Sequence, residues 1–340
     1  MLKTFIVKVV DRMNLTENEA EQAMEIIMDG SATQAQIGSF LTALRMKGET
    51  VEEITGFART MRKKAECIYP KVDFSVDTCG TGGDCANTIN ISTGAAFVVS
   101  AAGVPVAKHG NRSVSSKCGS ADVLEALGCK IDLQPENVAK CIEEIGIGFL
   151  FAPGFHKSMK NAASPRKEIG IRTVFNILGP LTNPANASGQ LIGVFKKELV
   201  DTIAEVLLRL GTKRAVIVHG SDGLDEITIS GSTFVTELNE GKISSYILSP
   251  DDFGIQRSRV EELRGGEKAE NALIIKEVLN GQRKGAARDA IILNSAAALY
   301  VGNKVKDIAE GVSLAYEIID SGKAVKKLDE FIEYTRRLIL

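Results

Sequence analysis

Phe74-Ser75-Val76-Asp77-Thr78-Cys79-Gly80-Thr81-Gly82-Gly83-Asp84 is the stretch on which the fold turns. Residues 74–78 read as a short strand, and the glycines after them as a turn whose bare backbone N–H groups can approach an anion. A small-residue helix over 92–102 and an apolar strand over 104–107 follow. Strand, glycine turn, helix and strand make a βα unit, and such units build a mainly parallel sheet. The alternation resumes with strand 189–195, helix 200–210 and strand 215–219, while 234–238 and 243–248 around Asn239-Glu240-Gly241 read as an added hairpin.

Upstream the texture is helical. Thr16-Glu17-Asn18-Glu19 and Thr50-Val51-Glu52-Glu53 fit the capping-box pattern, and apolar residues recur at helical spacing after each of Thr16 and Ala32. The expected fold class is therefore α/β, with a small all-helical domain over 1–70 and a larger α/β domain over 71–340. A balance of 41 basic against 43 acidic residues argues against a nucleic-acid protein with a broad basic face. No apolar run is long enough to cross a bilayer, and charge interrupts the first residues too early for a secretory signal. A cytoplasmic address is expected, with the six cysteines as free thiols. The six never form a C-x-x-C pair, so structural zinc is a poor reading.

The glycine loop lacks the spacing of a dinucleotide fingerprint or an ATP-binding P-loop. It continues into Asn87-Thr88-Ile89-Asn90-Ile91-Ser92-Thr93, where amides and hydroxyls gather at a helix N-terminus and favour phosphate oxygens. Lys108-His109-Gly110-Asn111-Arg112-Ser113, running on to Ser116, adds charged and neutral donors; Lys108 is expected at a strand's end. The adjacent carboxylates Asp225 and Glu226 suit Mg²⁺ beside a polyphosphate, although surface acidic pairs are common. Arg166 or Arg172 could clamp a carboxylate, or be an ordinary helix-surface arginine.

These stretches, with Arg172-Thr173-Val174-Phe175-Asn176-Ile177-Leu178-Gly179-Pro180-Leu181-Thr182-Asn183-Pro184, resemble anthranilate phosphoribosyltransferases over nearly the whole chain. The resemblance implies transfer of the phosphoribosyl group of phosphoribosyl pyrophosphate to the amine of anthranilate, in tryptophan biosynthesis. It implies that Gly80, Gly83, Asp84, Thr88, Asn90, Ile91, Ser92 and Thr93 hold phosphoribosyl pyrophosphate. Lys108, His109, Gly110, Asn111, Arg112, Ser113, Val114, Ser115, Ser116 and Ser120 would complete that site. Gly80, Asn111, His156 and Arg166 would meet anthranilate, Arg166 taking its carboxylate, and Ser92, Asp225 and Glu226 would reach Mg²⁺, two ions being expected. No side chain is assigned as a chemical catalyst. Many relatives have proline after the histidine equivalent to His156; here Lys157 stands there, which could alter the entrance.

The family fold implies a helical excursion at about 166–185 packing on the first domain, and a homodimer formed through that domain. Neither nucleic acid nor membrane is an expected partner, and the start of the chain within the helical segment leads us to expect no fused partner. Two alternatives stand beside this reading. A pyrimidine nucleoside phosphorylase would share the architecture but has no need of the Asp225-Glu226 pair. A non-catalytic nucleotide-binding regulator would be expected to show a damaged pocket.

Overall fold

The computed structural model describes residues 2–84, 86–113 and 117–338. Four helices come first, Leu2–Val10, Glu17–Met28, Gln34–Lys47 and Val51–Lys64. Both expected capping boxes form, Thr16 with Glu19 and Thr50 with Glu53, and a third joins Thr33 to Gln36. Each satisfies two N–H groups that a helix start would otherwise leave unbonded. Glu53 does more than cap. It is fully buried, accepts the N–H groups of Leu15 and Thr50 at 2.9 and 2.8 Å, and pairs with the buried Lys47 ammonium at 2.8 Å.

The rest of the described chain is built on one seven-stranded sheet. Its strands are β1 (Val76–Gly80), β2 (Val106–Gly110), β3 (Ile147–Phe151), β4 (Gly189–Gly193), β5 (Arg214–Gly220), β6 (Thr233–Asn239) and β7 (Lys242–Leu248). Their order is β3-β2-β1-β4-β5-β6-β7; the first five run parallel, and β6 and β7 are antiparallel additions. The expected α/β class is thus borne out. The hairpin turn takes positive φ at Glu240 and Gly241, the twist a two-residue turn between strands requires. β1 and β2 each sit about two residues further along than expected, and β3 with its Ile-Gly-Phe-Leu-Phe run was not foreseen.

Between β1 and β4 the chain order reverses, and the crevice beyond the carboxyl ends of strands at such a point is where open α/β sheets bind ligands. One wall comes from a crossing segment. Helices Lys160–Ile169 and Phe175–Leu181 return to the N-terminal helices: Asn161 donates to the Met28 carbonyl at 2.6 Å, and Arg62 to the Leu181 carbonyl at 2.7 Å. Phe40, Phe57, Phe175, Leu178, Ile192 and Ile217 share one apolar core between those helices and one face of the sheet. On the other face, helices Ile91–Ala101 and Ala286–Val301 pack so closely that a Cβ on Gly94 would lie 2.6 Å from Ile291. Among the described residues no helix is long and apolar enough to cross a membrane, and no disulfide forms.

Glu53→Ala should destabilise the protein by about 2–4 kcal/mol, because it leaves two N–H groups unbonded and removes the carboxylate that neutralises the Lys47 ammonium. Denaturant unfolding followed by circular dichroism checks this, with Glu52→Ala, on the exposed side of the same helix turn, as the comparison.

Candidate active site

The crevice opens into a cavity of about 340 Å³. Gly80, ending β1, lines its floor and faces Gly193, ending β4, in register behind it. A Cβ on Gly80 would collide with the Asp225 carboxylate, and one on Gly193 with the Asp225 backbone carbonyl. The Gly82 N–H donates to the same carboxylate at 2.7 Å. Two strand ends and the glycine loop therefore close around one acid delivered by the loop after β5.

Glu226, next in the chain, accepts the Ser92 N–H at 3.2 Å, at the start of the helix Ile91–Ala101. Burial drives the carboxyl of Asp225 well above its ordinary range, and the charges of Asp84 and Glu226 push it further. Burial likewise pushes Glu226 up to about 8, with Lys108 pulling the other way. Among the described residues no group of three or more His, Cys, Asp or Glu gathers as a ready-made metal cage. Two half-buried, mutually repelling carboxylates beside an anion cradle fit Mg²⁺ nevertheless. That ion uses one or two carboxylates and draws its other ligands from phosphate and water.

Lys108 lies inside β2, not at its end as expected, and is buried. Its ammonium donates to the Thr78 carbonyl and, at 3.3 Å, to the Ser92 hydroxyl. Burial lowers its pKa, with Asp77 and Glu226 opposing. Asp77, fully buried beneath the loop, accepts the His109 N–H at 3.1 Å and the Asn183 amide at 2.8 Å. Burial holds His109 neutral, at about 3, and His156 at about 4; the two rings lie 5.1 Å apart. His109 bonds the Gly179 carbonyl through Nδ1 at 3.2 Å, while its Nε2 has no hydrogen-bond partner among the described residues.

Most of the expected residues come together on this cavity: Gly80, Gly83, Asp84, Thr88, Asn90, Ile91, Ser92, Thr93, Lys108 through Ser113, Ser120, Arg166, Asp225 and Glu226. His156 does not line it and packs beside His109 instead. Val114, Ser115 and Ser116 lie outside the described residues. Two side chains have duties the sequence did not announce. Asn90 donates to the Cys118 carbonyl at 3.0 Å and accepts from Asn271 at 3.2 Å, tying the loop to a distant helix. Arg112 lines the cavity, but its guanidinium bonds Asp122 at 2.9 Å and Glu125 at 2.6 Å, and these acids raise its pKa.

Arg166 stacks over Phe175 with its guanidinium carbon 4.8 Å from the ring centroid, and burial lowers its pKa. Phe175, Asn176, Gly179 and Pro180 complete that wall. Nothing in their types marks them as site residues; their place in the crossing segment does. Arg172, the other candidate clamp, stacks on Phe195 and does not line the cavity. Lys157, directly after His156, is exposed and pairs with Glu66 at 2.5 Å.

The chain matches two family models, one described as the helical bundle domain of a glycosyl transferase family, over residues 3–65, and one as its a/b domain, over 73–325. It is 60% identical over 339 residues to an anthranilate phosphoribosyltransferase of Acetivibrio thermocellus, covering 100% of this chain and 98% of the relative. It is 56% identical over 340 residues to that of Petrotoga mobilis, with the same coverage. The crystal structure of the enzyme from Thermus thermophilus superposes with a TM-score of 0.93 at 42% identity, covering 98% of this chain and 99% of the other. The Saccharomyces cerevisiae enzyme in complex with PRPP and Mg superposes with a TM-score of 0.91 at 30% identity, covering 99% and 98%.

Gly193→Ala should push the Asp225 peptide aside and lower kcat/KM by about a hundredfold, the cost that a misplacement near 1 Å can carry. Steady-state kinetics on the folded variant tests this. A pH dependence follows as well. A carboxyl whose pKa is about 8 folded and 4.5 unfolded keeps its proton longer in the native state, so stability is lost as pH rises through that window. The thermal midpoint of the metal-free protein should fall between those pH values, and Glu226→Gln should flatten the fall.

Proposed function

The chain belongs to the anthranilate phosphoribosyltransferase family, and from that premise we propose how its cavity carries out the family's reaction. The 5-phosphoribosyl group of phosphoribosyl pyrophosphate passes to the amine of anthranilate, giving N-(5-phosphoribosyl)anthranilate and pyrophosphate. The observation that carries the proposal is the convergence of the glycine loop and the Asp225-Glu226 pair on one floor, with Arg166 on a wall of the same cavity.

In this reading the glycine loop around Gly80 and Gly83 and the start of the helix Ile91–Ala101 offer backbone N–H groups to the pyrophosphate. Mg²⁺ held by Asp225, Glu226 and Ser92 would neutralise charge building on the leaving pyrophosphate. The number of ions, two by the family resemblance, is part of the proposal. Arg166, pre-oriented by its stack on Phe175, is the cation for the anthranilate carboxylate. Asn111 and Gly80 lie between the two substrates.

The amine of anthranilate is neutral near pH 7 and needs little help from a base to attack C1 of the ribose. Rate then comes from holding amine and C1 in line and from donors preorganised for the leaving group. His109, kept neutral by burial, adds no positive charge beside an oxocarbenium-like carbon. The acidic pair and its glycine floor favour this reading over a nucleoside phosphorylase, and the intact cavity favours it over a regulator without activity.

We further take residues 1–70 with the crossing segment at about 166–185 as one domain, residues 71–340 as the other, and the cleft between them as the place where the substrates meet. Exposed Val7 and Val10 on the first helix and Met46 on the third, at 59, 61 and 72% exposure, support a homodimer formed through the helical domain. A cytoplasmic enzyme is the corresponding address.

Asp225→Ala combined with Glu226→Ala should lower kcat by about a hundredfold or more; near-normal turnover would remove the metal role. Arg166→Ala should raise the KM for anthranilate by at least about tenfold, since a charge-assisted pair is lost. An effect confined to the KM for phosphoribosyl pyrophosphate would refute its assignment.

A further inference from the structure

Behind the cavity, the helix Ala286–Val301 carries a fully buried polar side chain that the reaction as described does not use, Asn294. Its Oδ1 accepts the N–H of Ile227 at 3.0 Å. Its Nδ2 donates to the Ile227 carbonyl at 3.0 Å and to the Ala290 carbonyl at 2.9 Å. One amide thus pins both backbone groups of a single residue, as a neighbouring strand would. Ile227 directly follows Glu226, so only the soft torsions at their junction separate the pinned groups from the acid.

The same helix braces Glu226 by a second route. Ile291, three residues before Asn294, packs against Gly94 of the helix Ile91–Ala101, and Ser92 of that helix gives its N–H to the Glu226 carboxylate. On the far side the Asp225 carbonyl lies against Gly193, and Asp222 closes the loop by accepting the Leu224 N–H at 3.2 Å and the Ser230 hydroxyl at 2.5 Å. The acid pair repels itself in a half-buried site, and such a pair stays in place only where its backbone is held.

We propose that Asn294 is a positioning residue of the reaction, fixing the Asp225-Glu226 peptide so that both carboxylates face a divalent cation carried in with the pyrophosphate. The inference rests on the metal role given to those acids above. A buried asparagine with a purely structural duty would lower stability and nothing else. One with a positioning duty shifts metal dependence as well, typically by a factor of about ten or more when the partner behind a metal ligand is lost.

The test is a pair of titrations on Asn294→Ala, with Ser295→Ala as its match. Ser295 is fully buried on the same helix and donates to the Ile291 carbonyl at 2.6 Å. Calorimetry without anthranilate gives the affinity for phosphoribosyl pyrophosphate in the presence and absence of Mg²⁺, and kinetics give the Mg²⁺ concentration for half-maximal rate. Asn294→Ala should weaken the Mg²⁺-dependent affinity and raise that half-saturation by about tenfold or more, leaving the KM for anthranilate within about twofold. Ser295→Ala should lower the thermal midpoint and move neither titration. Unchanged titrations in Asn294→Ala, or the same shift in Ser295→Ala, would overturn the proposal. Should Asn294→Ala fail to fold, Asn294→Asp, which keeps shape and acceptor but loses the donor to Ile227, is read by the same titrations against the same criteria. Wild-type protein that binds phosphoribosyl pyrophosphate equally well without Mg²⁺ would remove the metal role itself. Wild-type dependence with an unshifted Asn294 variant removes only the role of Asn294.

Discussion

A half-buried carboxylate, that of Asp225, sets the terms for the rest of the structure. It meets Gly80 at the end of β1 while the Asp225 backbone carbonyl meets Gly193 at the end of β4, so neither glycine can carry a side chain, and it takes the Gly82 N–H as well. Burying an acid is unfavourable unless it finds partners, and here its nearest neighbours Asp84 and Glu226 are acids too. The fold therefore disfavours the ionised form of both acids, which a metal–polyphosphate pair would favour. Ligand binding and local stability draw on the same interactions.

A second constraint brings the wall that carries Arg166 to that floor. Asn183, at the end of the crossing segment, donates to Asp77 and to the Ala107 carbonyl, both at 2.8 Å, and so fixes the segment against β1 and β2. Gly179 then meets His109, and Phe175 stands under Arg166. The crossing segment shares a core with the N-terminal helices, so any movement of those helices is transmitted to Arg166. The place of Arg166 in the cavity is a property of that shared core as much as of its own stack on Phe175.

The sequence was most legible where one residue type has one physical use. Threonine three places before glutamate announced two helix starts, and glycines after an apolar run announced the anion loop. The third cap escaped because glutamine at position 36 does the work of glutamate. β3 escaped because five apolar residues do not separate strand from helix by periodicity. The end of β2 was misplaced for a different reason. A lysine is a poor candidate for a buried parallel strand, yet Lys108 sits opposite Phe149 because Asp77 and Glu226 compensate its charge from other parts of the chain. In the site, residue identities were readable and their partners were not. Asn90 and Arg112 both look like ligand contacts in sequence, and both hold residues brought near only by folding.

The decisive measurement is the fluorescence of anthranilate over time with the purified protein and phosphoribosyl pyrophosphate, with and without Mg²⁺. A loss of signal that depends on both phosphoribosyl pyrophosphate and Mg²⁺ is expected. Loss at the same rate with the metal removed would contradict the role of the acid floor. No loss at all, together with phosphate-dependent cleavage of thymidine or uridine, would contradict the transfer reaction.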